Sequence, residues 1–222
     1  AESEEFKSNQ SIDEVKAKAD LMAEYSKQLS ECRFGEVEEF VGHKYMSKSS
    51  SSSSAPISRA FTRRLAVEYA DMAESLPIHF ASSVWMRVHE SQMQYAQMMI
   101  SGPDNTPYEN GLFVFDIHFP PSYPNVPPQV NLMTTGKGAV RFNPNLYNCG
   151  KVCLSILGTW PGGVGEGWST KSSTMLQVAV SIQSLIFVEQ PYFNEPSYEK
   201  SMHTKHGQEA SAAYSKPLLQ ST

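Results

Sequence analysis

The chain has 222 residues, 40% of them hydrophobic and 11% aromatic, enough for one good-sized domain plus an appendage or two small domains. Its net charge of −5 is scattered, which argues against a phosphate-backbone binder, whose basic residues must cluster. No apolar run reaches the roughly 18 residues that span a bilayer, and the acidic start AESEEFKSNQ lacks the basic-then-apolar order of a signal peptide, so neither nucleic acid nor membrane is an expected partner.

Residues 1–48 are charged and read as an N-terminal extension with an amphipathic helix near 12–30. Ser11 and Glu14 form a capping-box pattern, and Ile12, Val15, Ala19, Met22 and Leu29 share one face. Residues 49–56, a serine run closed by Ala55-Pro56, bury little and read as a flexible linker. From Ile57 the pattern becomes globular. Ile57, Phe61, Leu65, Tyr69, Met72 and Leu76 recur at helical spacing and stop before Pro77.

Val84–Glu90, Gln94–Ile100 and Leu112–Phe119 read as strands, with a Gly102-Pro103-Asp104-Asn105 turn between the last two. Six prolines between Pro120 and Pro144 make that stretch extended and turn-rich. A second helix starts near Thr174, whose capping box closes with Gln177, and carries Met175, Val178, Ile182, Leu185 and Ile186. Beyond Tyr198 the sequence turns polar, with a weak helical stretch around 207–214, and reads as a tail of 201–222, belonging either to a fragment of a larger protein or to a divergent short form. Helix, antiparallel strands, cysteine loop and helix in that order make an α+β domain over 57–200.

Cys32, Cys149 and Cys153 are an odd count with no disulfide framework. Spaced C-x-x-x-C with no second ligand pair, the last two make a poor zinc site, so no metal is expected. Free thiols imply a reducing compartment, cytoplasmic or nuclear.

Two motifs carry a resemblance. Phe119-Pro120-Pro121-Ser122-Tyr123-Pro124-Asn125-Val126-Pro127-Pro128 is F-P-x-x-Y-P-x-x-P-P, and Asn143-Pro144-Asn145 precedes Cys153 by eight residues counted from Asn145. Both, with Gly150 and Leu154-Ser155-Ile156-Leu157 in place, resemble the ubiquitin-conjugating enzymes over about residues 57–200. The long interval between Cys153 and Trp168, the segments Gln190–Pro196 and His43–Ser47, and Ala81-Ser82-Ser83-Val84 are similar to the large-type branch, which includes hybrid conjugating enzyme/ligases.

The resemblance implies an antiparallel four-stranded sheet flanked by helices and an acyl transferase whose cysteine accepts ubiquitin from an activating enzyme and passes it to a substrate lysine. Cys153 is then the nucleophile and Cys149 incidental. Asn145 either donates to the oxyanion formed under lysine attack or pins the loop. Pro144 sets the turn; Asn143 stands where the family has histidine and can buttress the loop. Tyr147, Asn194 and Glu195 are gate candidates for the acceptor lysine. Arg59, Arg63 and Arg64 are candidates for docking the activating enzyme. Asn125 and Val126 in the proline motif, and the second docking loop Trp168-Ser169-Thr170, which lacks the family's Ser-Pro, depart from the family's ligase-docking pattern, so an ordinary RING partner is doubtful. No cofactor is implied, ATP being consumed by the upstream activating enzyme. PGGVGEG (161–167) has no Gly-Lys-Ser/Thr and reads as an insertion loop. The alternatives are a non-catalytic ubiquitin-binding adaptor of the same fold and a conjugating enzyme for another ubiquitin-like modifier. A thiol protease fits poorly, since no histidine falls between His118 and His203.

Overall fold

The structure, a computed structural model, describes residues 2–46 and 57–222. The serine-rich stretch 49–56 lies outside the described residues.

The first expected globular helix is α2 (Arg59–Ser75), preceded by α1 (Glu2–Ser30). Ser58 caps α2, its side chain accepting from the Phe61 N–H at 3.1 Å. Phe61, Leu65, Tyr69 and Met72 are buried on one face, and Pro77 stops the helix as the spacing predicts. The sheet has five strands in spatial order β1 (Phe34–Val37), β2 (Val84–His89), β3 (Tyr95–Ser101), β4 (Leu112–His118) and β5 (Gln129–Leu132). Alternation puts Met86, Val88, Ala96, Met98, Ile100, Phe113, Phe115 and Ile117 into one core with α2.

Two strands, β1 and β5, add to the three read from the sequence, so the sheet exceeds the expected four-stranded antiparallel one by a single strand. β2 to β5 pair antiparallel, and β1 joins β2 in parallel with Phe34 opposite Met86, so the sheet is mixed. The residues read as an extension thus supply an edge strand. Arg33 reinforces the join, its Nη1 donating to the carbonyls of Ala73 at 3.2 Å and Glu74 at 2.6 Å at the C-terminal end of α2. β5 sits inside the proline-rich stretch, just after Pro128.

α1 begins at Glu2, not at Ser11, so the Ser11/Glu14 pattern does not mark its start. Val15 is 70% exposed, and α1 meets the domain near its C-terminal end, where Tyr25 touches Phe80 edge-on at 5.5 Å and its hydroxyl lies 3.2 Å from Ser83 Oγ.

α3 (Met175–Ser181) carries the predicted capping box between Thr174 and Gln177. It then widens into a π-helical turn over Ile182–Ile186, which keeps Ile182 and Ile186 buried but swings Leu185 out to 59% exposure, off the apolar face expected for it. The weak helix expected at 207–214 is α4 (Lys205–Ser221), capped by Thr204, whose Oγ1 accepts from the Gly207 N–H at 3.0 Å. Pro217 falls in its C-terminal part, where a missing N–H disrupts few bonds. Leu218 is buried, and Thr222 Oγ1 donates to the Pro107 carbonyl at 3.1 Å. No described helix is long and apolar enough to cross a membrane.

Candidate active site

Between β5 and α3 the chain makes a compact loop held by short bridges, Asn143 to Leu146 and Leu146 to Val152. Gly150, at φ +90°, turns the chain between Cys149 and Lys151. Every peptide group around Cys153 has a partner. Its N–H donates to the Asn145 carbonyl at 2.9 Å, and Asn145 Nδ2 donates back to the Cys153 carbonyl at 2.8 Å. Thr159 clips both neighbours: its hydroxyl donates to the Val152 carbonyl at 2.7 Å and accepts from the Leu154 N–H at 3.0 Å. The cysteine is therefore presented on an immobilised backbone.

Asn143 supports that loop from beneath. It is fully buried, and all its hydrogen-bonding capacity is used. Nδ2 donates to Tyr108 Oη at 3.1 Å and to the Ile186 carbonyl at 2.8 Å. Oδ1 accepts from the Asn145 N–H at 2.8 Å and from Asn194 Nδ2 at 3.3 Å. The π-helical turn provides the carbonyls: Ile186 serves Asn143, and Leu185 accepts from Asn194 at 3.0 Å. Burial pushes the Tyr108 phenol far up, so it stays a neutral donor to the Phe142 carbonyl at 2.8 Å. Of the two roles open to Asn145, the loop-pinning bond is made, and it uses one of two amide N–H groups. Pro144 is buried in the turn, its carbonyl taking a 2.8 Å bond from Arg141 Nη2.

Cys153 is 1% exposed and Cys149 is exposed. Burial pushes the Cys153 thiol up, and Lys151 and Arg141 pull it back toward the thiolate. Those cations bracket Tyr147: the Arg141 guanidinium is 4.5 Å and the Lys151 ammonium 5.7 Å from the ring centroid. Glu195 closes this side, 3.9 Å from Arg141. Arg141, Lys151 and Thr159 went unread in the sequence. The basic residues flanking N-P-N…C were the available signal for the first two; Thr159 gave none. On the other side of Asn145 lies a cleft of about 480 Å³, lined among others by Ser155, Trp160, Glu166, Leu185 and Asn194. The insertion loop forms part of its wall. Gly162 allows this approach, because a β-carbon there would sit 2.6 Å from Ser155 Cβ.

The remaining candidates separate. Arg59 and Arg63 are exposed on α2. Arg64 is engaged internally, its Nε 2.5 Å from Glu68 Oε1 and its Nη2 donating to the Ser173 carbonyl at 2.6 Å. Glu68, 4% exposed, also accepts from the Tyr123 hydroxyl and, at 2.7 Å, from the Met175 N–H, so one carboxylate joins α2, the proline motif and the start of α3. Trp168 turns inward, donating Nε1 to the Pro124 carbonyl at 2.7 Å. Asn125 and Val126 are exposed. Among the described residues no group of three or more His, Cys, Asp or Glu is gathered to hold a metal ion.

Comparison with known proteins agrees with this architecture. Residues 64–220 match the family model described as ubiquitin-conjugating enzyme. The human protein named dual E2 ubiquitin-conjugating enzyme/E3 ubiquitin-protein ligase BIRC6 is 48% identical over 194 residues, which are 87% of this chain and 4% of that protein. The probable ubiquitin-conjugating enzyme protein 17 of Caenorhabditis elegans is 50% identical over 168 residues, covering 76% of this chain and 23% of its own length. The probable ubiquitin-conjugating enzyme E2 25 of Arabidopsis thaliana is 47% identical over 183 residues, or 82% of this chain and 29% of that one. The chain thus spans less than a third of each of these three relatives. With the family model matched over more than half its length, the chain belongs to the ubiquitin-conjugating enzyme family.

Proposed function

We propose that this domain accepts ubiquitin from an activating enzyme as a Cys153 thioester and passes it to a substrate lysine. The observation that carries the reading is the reciprocal clamp between Cys153 and Asn145, buttressed by Asn143. In the first step the Cys153 thiolate attacks the ubiquitin carbonyl held by the activating enzyme, whose thiolate leaves. In the second, a lysine amine attacks the new thioester, Cys153 thiolate leaves, and the nitrogen loses a proton. The second N–H of the Asn145 amide is the donor we assign to the oxyanion. Glu195, partly exposed beside Arg141, is the carboxylate available to orient the incoming ammonium, with Tyr147 as the adjoining wall. Asn194 serves through Asn143 and Leu185 as a buttress.

The exposed Arg59 and Arg63 are the docking candidates for the activating enzyme. The inward-turned Trp168 and polar Asn125 favour ligase-like autonomy over RING recruitment, in keeping with the dual name of the human relative. The proposed chemistry invokes no cofactor, and the free thiols favour a reducing cytoplasmic or nuclear compartment. The names of the relatives favour ubiquitin over other modifiers.

The test is incubation with activating enzyme, ubiquitin and ATP, followed by gels with and without thiol. A thiol-sensitive adduct, lost or converted to a thiol-stable ester in Cys153→Ser and retained in Cys149→Ser, is expected. No adduct with ubiquitin or any ubiquitin-like modifier and its activating enzyme would favour the adaptor reading.

A further inference from the structure

Residues 33–46 precede the stretch matched by the family, which starts at residue 64, yet they are fastened to the support of the cysteine loop. The Lys44 backbone N–H donates at 2.7 Å to Oδ2 of Asp116, a carboxylate with no solvent exposure. Asp116 Oδ1 accepts from Gln97 Nε2 at 2.9 Å. Beside it, buried His43 has Nε2 3.0 Å from the Ala96 carbonyl and Nδ1 accepting from the Tyr45 N–H at 3.3 Å. Held this way, the Lys44 side chain donates its ammonium to Oδ1 of Asn131.

Asn131 is 5% exposed, and its Nδ2 donates to the Leu132 carbonyl at 2.9 Å. Gly150 sits directly against this amide: a β-carbon on it would lie 2.5 Å from Asn131 Nδ2 and 2.6 Å from Oδ1. The Leu132 N–H donates to the Gly150 carbonyl at 2.8 Å, and Asn131 bridges to Lys151. From Gly150 the chain runs through Lys151 and Val152 to Cys153.

We propose that Lys44 is a positioning residue for Cys153, acting through Asn131, so that residues 33–46 complete the catalytic unit although they lie outside the matched family core. An asparagine amide has two faces of opposite hydrogen-bonding sense. The Lys44 donor on Oδ1 selects the orientation that sends Nδ2 to Leu132. Without that donor the amide turns or tilts, and Gly150, in contact with both of its polar atoms, moves with it. Displacements of about 1 Å at a reacting group cost up to a hundredfold in rate.

This inference rests on the proposed thioester chemistry for its main readout. Lys44→Met keeps the aliphatic stem and the backbone bond to Asp116; Lys44→Arg keeps a cationic donor. With the full chain, single-turnover thioester formation at saturating loaded activating enzyme is expected to slow about tenfold in Lys44→Met at unchanged KM. Lys44→Arg is expected to recover most of the loss, and Lys44→Met should add nothing to Asn131→Ala. An unchanged maximal rate, a change confined to KM, no recovery by arginine, or additive losses would each overturn the proposal. Alkylation of Cys153 by iodoacetamide, in a Cys32→Ser/Cys149→Ser background, reads the loop without ubiquitin. Lys44-dependent alkylation in a chain that forms no thioester sinks the functional reading and leaves this one standing; Lys44-independent alkylation with normal thioester formation in Lys44→Met sinks this one alone.

Discussion

Removing the Asn143 side chain tests the buttress beneath the cysteine loop. Asn143→Ala deletes four hydrogen bonds from a fully buried site. Buried bonds contribute about 0.5–1.5 kcal/mol each, and an orphaned buried partner costs about 1–3 kcal/mol. Three of the four partners keep a second bond: Tyr108 to the Phe142 carbonyl, Ile186 from the Val188 N–H, and Asn194 to the Leu185 carbonyl. Only the Asn145 N–H is orphaned, so the loss is about 3–5 kcal/mol, near 6–20 °C in melting temperature for a domain of this size. Urea unfolding of the alanine variant beside Asn143→His measures it. Histidine restores one donor and one acceptor and should recover about half of the loss. A loss below about 1 kcal/mol for alanine would refute the reasoning, because four satisfied buried bonds cannot vanish for so little.

Lys151→Met should slow thioester formation a few-fold near neutral pH, because the ammonium opposes the burial that pushes the Cys153 thiol up. The sign follows from the thiolate: loading rises with pH in both proteins, the variant titrates higher, and the gap closes at alkaline pH. A rate ratio independent of pH would assign Lys151 to partner binding instead. Glu68→Gln should destabilise by about 3 kcal/mol, since it leaves Arg64 without its anion and turns an amide donor toward a donor. A melting temperature within about 2 °C of the parent would count against the three-way staple.

Elements with a complete period were legible in the sequence. α2 shows four turns of apolar spacing ended by a proline, and β2 to β4 are six or seven residues long with one face buried. β1 and β5 are four residues each, too short to display alternation, and owe their existence to the strand beside them. Leu185 obeys helical spacing and still points outward, because the π-helical turn inserts a residue that no apolar count registers. The length of α4 was hidden by Pro217, which is cheap near a helix end.

The site divides along the same line. Cys153, Asn143 and Asn145 were readable through the resemblance that the N-P-N…C spacing carries. Arg141 and Lys151 showed only as basic residues flanking that motif, and Thr159, which acts by direct hydrogen bonds, carries no pattern. Together they answer a chemical difficulty at the sulfur, which is covered, has its pKa raised by burial and, among the described residues, has no histidine hydrogen-bonded to Asn145 or the Thr159 clip. Arg141 and Lys151 offset part of the desolvation but not all of it, since the net shift is upward. On the proposed chemistry, thiolate abundance is therefore not what favours transfer. The immobile backbone does: with the Cys153 N–H and carbonyl bound to Asn145 and both neighbouring peptides bound to Thr159, little reorganisation remains when a tetrahedral centre forms, and the unused Asn145 N–H can favour that state over the ground state.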